Sequence, residues 1–388
     1  METESAIRSV TLIGLGEIPE VGGIVSGMIA IFWPESKEDV WGQIKDKVES
    51  LINQKLSDFE YQQVSESLEG LRNVLADYDL ALADGQGDEA YITAKYTAAL
   101  SHFESTLPHF QSKGYEVLLL PLFAQFANLH LALLRDGITF GARWGWPSQV
   151  ITDEESKIKQ SISAYSKWAS EWYDQGYKQL KLPSDSTYRV ESWNVQNNYT
   201  REMTINVLDS MHFWPYFDPQ VNPGDTSIVT IPARTVYSQT VGVADDTGIT
   251  IPEPPTSPIT GIQIWGWNYI DAVQVQYGGE WGPRQGDQQT PTFGGSNVPP
   301  HGWNGPVDVQ TNPVIRVSGR SGELPELIKL WFEDGSVTND CAGIAGRGGL
   351  FDFVYDGHVL SSIHVMGTSR FYRSANCIVF GWRLANSY

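Results

Sequence analysis

Histidine and cysteine are the residue types most often recruited for catalysis or metal binding, and here they are scattered. The seven histidines are His102, His109, His130, His212, His301, His358 and His364. None belongs to an HExxH pair, and none stands at zinc-ligand spacing from Cys341 or Cys377. There is no phosphate loop, no GxSxG elbow and no GxGxxG fingerprint. The acidic run from Asp334 to Asp340 has the wrong spacing for an EF-hand and reads as a hairpin turn. With 46 carboxylates available, an acid pair chosen without geometry identifies nothing. The sequence therefore predicts no enzyme, no cofactor and no metal. Aromatics beside glycines are the remaining chemistry. Tyr277 and Trp281 flank Gly278 and Gly279, Trp303 follows a glycine, and Gly348 and Asp352 bracket a Gly-Leu-Phe. Tyr and Trp rings stack on sugars, and they fill cores equally well.

The element around which the rest must be built spans 115–141, YEVLLLPLFAQFANLHLALLRDGITFG. It carries no charge between Val117 and Leu134. Leu119, Phe123, Ala127, Leu131 and Leu134 belong to an apolar set that goes all the way round a helical wheel. Such a helix is buried in a large core or sits in a membrane. At 1.5 Å per residue it spans roughly 39 Å, enough to cross a bilayer. Pro121, Gln125, Asn128 and His130 interrupt it and need partners from neighbouring helices or water. Two readings stand: the central helix of a soluble bundle, or a helix that is central in the soluble form and later enters lipid.

Composition sets bounds. The length of 388 residues suggests two or three domains. A hydrophobic content of 41% supports a packed core, and the net charge of −20 argues against nucleic acid and anionic lipid as partners. Two cysteines make no disulfide framework: Cys341 and Cys377 are a pair across adjacent strands or two buried thiols. The apolar N-terminus lacks a basic region next to its apolar run and is broken by Glu17 and Glu20, so it reads as two short helices and not as a signal peptide. The sequon at Asn198 matters only in a secretory compartment.

Residues 1–216 read as seven helical elements. After the N-terminal pieces, a helix opens with Ser36 as N-cap, and others cover 59–83, 88–107, 115–141, 152–180 and 192–213. The fifth in order is the most apolar. Residues 217–258 form a connecting segment that ends in a stiff Pro-rich stretch. In 259–388, short β-type runs separated by glycines predict a sandwich, barrel or prism. The fold class is α+β multidomain, helices first and strands after.

Five ordered blocks carry a resemblance. They are IPEVGGIVSGMIAIFWP, EGLRNVLADYDLAL, LLLPLFAQFANLHLALLRDGITFGARWG, NNYTREMTINVLDSMHFWPYFDP and ARTVYSQTVG. Together they resemble the N-terminal domain of the three-domain crystal delta-endotoxins, the insecticidal Cry family of Bacillus. The glycine-rich strands, with VQVQYGGEWG and a loose GxxxD at Gly348–Asp352, resemble a β-prism, as in the family's middle domain and jacalin-like lectins.

The resemblance implies a pore-forming toxin made without a signal peptide as a soluble or crystalline protoxin at sporulation. It implies a helical hairpin, here 88–107 and 115–140, that inserts into the target membrane. Lys95, His102 and Glu104 then line a lumen, or else form an ordinary solvated face. Arg135, Asp136, Arg201 and Glu202 are expected as interhelical or interdomain ion pairs. Tyr277, Gly278, Gly279, Trp281, Trp303, Gly348 and Asp352 are expected at a glycan or receptor site. The implied partners are the target-cell membrane, a surface glycoprotein or glycan receptor, an activating gut protease and other copies of the toxin in the pore. The length leaves no room for the family's third domain. The alternative is a non-toxic lectin with a helical assembly or storage domain.

Overall fold

The structure is a computed structural model that describes residues 24–33, 39–84, 88–183, 189–224, 226–243, 249–253, 255–266, 268–286, 304–341, 347–368 and 374–385. It divides into two compact units: Met1–Leu180 with Glu202–Thr230, and Lys181–Arg201 with Ile231–Tyr388. The expected ranges are 1–216, 217–258 and 259–388. In the structure, 181–201 groups with the strands and 217–230 with the helices.

The first unit is helical. Its elements are α1 (Ile24–Phe32), α2 (Val40–Ile52), α3 (Asp58–Asp84), α4 (Glu89–Thr106), α5 (Glu116–Phe140) and α6 (Ser148–Lys178). A further helix, α7 (Arg189–Met203), groups with the second unit as far as Arg201 and runs through a π-helical turn, Thr204–Leu208, into α8 (Asp209–Phe213) of the first. The part of the split N-terminal helices before α1, Ser36 and the 85–87 loop lie outside the described residues. The cap of α2 is Asp39, not Ser36. Its carboxylate accepts from Gly42 N at 2.9 Å, because a short side-chain oxygen three residues ahead reaches an otherwise orphan amide. Asp88 caps α4 in the same way, accepting from Tyr91 N at 3.0 Å. The helix α6 starts four residues before the expected Thr152, directly after Pro147, whose fixed φ suits a helix entry. Its Asp-Glu-Glu run therefore lies in the second turn.

The helices of the first unit surround α5. From Leu118 to Gly137 every residue of α5 is buried. Phe126 of α5 meets Phe103 of α4 at 5.2 Å and Phe110 at 4.6 Å, and Phe123 meets Tyr165 of α6 at 5.4 Å. A helix apolar on all sides buries all sides, and that is what places it at the centre.

The second unit contains three antiparallel sheets. In the first, β12 (Ala375–Leu384) lies between β11 (His358–Thr368) and two short strands, β1 (Val236–Tyr237) and β2 (Val241–Gly242). The second holds β3 (Ile259–Gly266), β4 (Ile270–Tyr277), β5 (Glu280–Trp281), β6 (Gln285–Gly286) and β7 (Asn304–Asp308). The third has the order β10 (Gly349–Val354), β8 (Val314–Ser321), β9 (Pro325–Phe332). Burial alternates along β9, with Ile328, Leu330 and Phe332 inward and Lys329 and Trp331 outward, the period of a half-buried strand. Almost all of β12 is buried, so it reads as a continuous apolar run. Trp382 and Trp265 are core residues, while Trp281 is 39% exposed. Cys341 and Cys377 are both buried free thiols. The 334–340 run is a turn, with Gly335 at φ +82° and Thr338 N donating to Leu330 O.

Candidate functional site

The polar residues of α5 decide what this helix can do, since a buried polar group must find a partner. Gln125 Nε2 donates to the carbonyl of Asn206 at 3.2 Å. Asn128 Nδ2 donates to Gln125 Oε1 at 2.9 Å and to Ser210 Oγ at 3.3 Å, and its Oδ1 accepts from the Trp214 indole at 2.8 Å. Asn206, Ser210 and Trp214 stand four apart, so they form one stripe facing α5. Asn206, inside the π turn, also donates its Nδ2 to the Glu202 carbonyl at 2.7 Å.

His130 turns the other way. Its Nδ1 lies 2.6 Å from the Tyr165 hydroxyl, and its ring stacks on Phe103 at 5.1 Å with a 9° interplanar angle. Its Nε2 is buried and meets no hydrogen-bond partner among the described residues. Burial, with a smaller contribution from the Lys157 cation, pushes its pKa down to about 3. Burial pushes the Tyr165 hydroxyl up.

At the far end, Arg135 is only 1% exposed. Its guanidinium donates to three main-chain carbonyls: Tyr216 at 3.0 Å, Phe217 at 3.2 Å and Asn222 at 2.7 Å. Burial lowers its pKa, and the Asp136 and Asp218 carboxylates offset part of that. The hydrogen bonds of Arg135 thus go to backbone carbonyls, where the sequence reading expects an ion pair. The planar fork of donors explains why: it can serve several carbonyls of one turn at once. Asp136 is buried and accepts from the Tyr78 hydroxyl at 3.4 Å. Next to it, a Cβ on Gly137 would stand 2.3 Å from the Tyr96 hydroxyl, so the absent side chain admits the α4 tyrosine. Tyr96 in turn donates to Glu154 at 3.0 Å.

The polar side of α4 is engaged with its neighbours. Lys95 lies 2.6 Å from Asp77 of α3, and Glu104 lies 3.1 Å from Lys157 of α6, with the carboxylates exposed and the lysines half-buried. His102 packs against Gly70, where a Cβ would stand 2.4 Å from its Nε2. Glu202 lies 2.9 Å from Lys47 of α2. Arg201 falls in the second unit, where it donates to Tyr237 O at 3.0 Å and lies 5.2 Å over the Tyr355 ring. Leu119, Phe123, Ala127, Leu131 and Leu134 are all fully buried.

The residues expected at a glycan site fall in two different sheets. Tyr277 and Trp281 flank the tight β4–β5 turn, in which Gly278 (φ +56°) and Gly279 (φ +92°) both take the left-handed conformation that a two-residue hairpin needs. The Trp281 ring packs over Gly261 of β3 and keeps part of its face open. Gly348 and Asp352 belong to the third sheet and its approach. Both Asp352 oxygens accept from Arg316, at 2.7 and 2.6 Å, and Arg316 covers Trp331 at 4.7 Å. The amide of Gly348 donates to the buried Glu326 carboxylate at 2.9 Å. Those groups satisfy one another across strands. Trp303 lies outside the described residues.

Sequence reading misses the acceptor side of the α5 ladder. The stripe at 206, 210 and 214 was its available signal. The carbonyls that receive Arg135 leave no trace in residue types.

With this geometry established, comparison with known proteins is informative. The model of the delta endotoxin N-terminal domain matches residues 10–218. Pesticidal crystal protein Cry7Ab of Bacillus thuringiensis subsp. dakota is 35% identical over 253 residues, 63% of this chain and 21% of that protein. Pesticidal crystal protein Cry1Id of Bacillus thuringiensis is 33% identical over 229 residues, 58% of this chain and 31% of that protein. The matched region thus spans a fifth to a third of those relatives. Among solved structures, the insecticidal crystal protein Cry7Ca1 of Bacillus thuringiensis superposes with a TM-score of 0.78 at 22% identity, covering 98% of this chain and 74% of that one. PirB superposes at 0.76 and 15% identity, covering 99% and 94%. At these identities the structural likeness shows the fold.

Proposed function

The chain belongs to the delta-endotoxin family through its N-terminal domain, and on that premise we propose that it is a pore-forming toxin of the insecticidal type. The strand-rich unit binds a receptor or glycan on the target cell, and the α4–α5 hairpin leaves the bundle to enter the membrane. One observation carries the reading: α5 is 25 residues long, holds no charge from Val117 to Leu134, and is buried from Leu118 to Gly137 in the helical unit. At 1.5 Å per residue that is about 37 Å, longer than the ~30 Å bilayer core. In the soluble form Gln125, Asn128, His130 and Arg135 each make at least one hydrogen bond to a helix or turn of the same unit. Leaving the bundle therefore requires binding, proteolysis or pH to favour the open state.

Inside the cell that makes it, the protein is held in soluble or crystalline form. It acts at the target-cell membrane, with a gut protease trimming it before Trp33 and copies of it assembling in the pore.

Dye release from vesicles made with target gut-membrane lipids and proteins tests the reading. Release is expected after protease treatment and is expected to disappear when Leu131 is replaced by Glu in a variant still folded in solution. No release under any condition, with glycan binding retained, would overturn it in favour of a lectin.

A further inference from the structure

His130 occupies a site built for a neutral ring. Phe103 of α4 covers one face, and Phe126 of α5 stands 6.2 Å away. Tyr165 of α6 takes Nδ1. The charged groups around it come from two elements. From α6 come Lys157 and Glu154, from α4 comes Glu104, and both carboxylates are paired to the Lys157 ammonium at 3.3 and 3.1 Å. Among the described residues no carboxylate reaches the imidazole. A second proton makes both ring nitrogens donors and sets a cation near the Lys157 cation. Where Nδ1 already donates to the Tyr165 hydroxyl, the new N–H stands at Nε2, which meets no acceptor among the described residues; where Nδ1 accepts from it, the new N–H stands at Nδ1 and the Tyr165 hydroxyl has to turn its own proton away.

We propose that His130 is an acid-sensitive lock on the central helix: neutral, it closes the junction of α4, α5 and α6; protonated, it drives that junction open. The lock is a property of the bundle. On the reading proposed above, which this inference extends, it also sets when α5 leaves. The sign follows from linkage. The open state takes up a proton near the ordinary histidine pKa of 6.5, whereas the closed state resists until about 3, so acidification across that window favours opening. Between about pH 7.5 and about pH 5 the ratio of open to closed shifts by about thirtyfold on this account.

Hydrogen exchange of α5 peptides, corrected for intrinsic rates, reads that ratio in the full chain. The rise in opening on going to pH 5 is expected to be about thirtyfold larger in the wild type than in His130→Gln. An equal rise in both overturns the proposal. If His130→Gln does not fold, ring NMR of the wild type decides. The resonance with Overhauser contacts to Phe103 should not titrate above about pH 4, and titration near 6.5 in the folded protein overturns the lock. Vesicle leakage separates this inference from the pore reading. Acid-stimulated leakage in the wild type that is weaker in His130→Gln supports both. The exchange difference without leakage at any pH supports the lock and overturns the pore.

Discussion

The indole N–H of Trp214 is buried and donates to Asn128 Oδ1 at 2.8 Å, which ties the 3₁₀ turn after α8 to the middle of the central helix. Replacing Asn128 by Ala leaves that indole without an acceptor. A buried orphan of this kind costs about 1–3 kcal/mol. Urea unfolding of Asn128→Ala, Trp214→Phe and the double variant is expected to show a coupling energy of about 1 kcal/mol. Strict additivity would show that the bond contributes nothing.

Gly137 of α5 lies directly against Tyr96 of α4. A methyl group there would meet the Tyr96 hydroxyl at 2.3 Å and displace it from Glu154. Gly137→Ala is expected to destabilise the helical unit by about 1–3 kcal/mol, as overpacking does. Thermal melting checks this, with Tyr96→Phe as the comparison that keeps the helix spacing.

Acid also acts on the strand-rich unit. His364 is buried beside Ser362, and burial lowers its pKa to about 4. The unfolded chain binds its proton near 6.5, so stability falls as pH drops from about 6.5 to about 4, by up to roughly 3 kcal/mol. His364→Gln should flatten that part of the pH–stability curve. An unchanged curve would mean that His364 is protonated in the folded state.

Arg316 and Asp352 form a bidentate but exposed pair, with side chains 39% and 48% accessible. Asp352→Ala is expected to cost less than about 1 kcal/mol. If glycans bind at the β4–β5 turn, Trp281→Ala should abolish binding on a glycan array while Asp352→Ala leaves it intact. The reverse pattern would move the site to the third sheet.

The central helix was legible because its evidence is one-dimensional. An uncharged, all-round apolar run from Val117 to Leu134 allows only a buried or membrane environment, and α5 is buried from Leu118 to the end of that run. The caps were legible only in part: the expected range 88–107 opens at Asp88, which caps α4, but Ser36 drew attention from Asp39, which holds the Gly42 amide. The α5 ladder left a signal only in the spacing of 206, 210 and 214, and nothing in the sequence ties that stripe to Gln125, 81 positions away. For the same reason the GxxxD pattern looked like a sugar site. Its Asp352 is taken by Arg316, 36 residues earlier, which only strand register brings alongside.

The acceptors of Arg135 are all carbonyl oxygens of the main chain, at 216, 217 and 222. Any amino acid supplies such an oxygen. The segment that receives the arginine can therefore drift in composition while the anchor survives, provided the chain keeps its path through that turn. What is fixed at this end of the central helix is a contour, and a single guanidinium reads it.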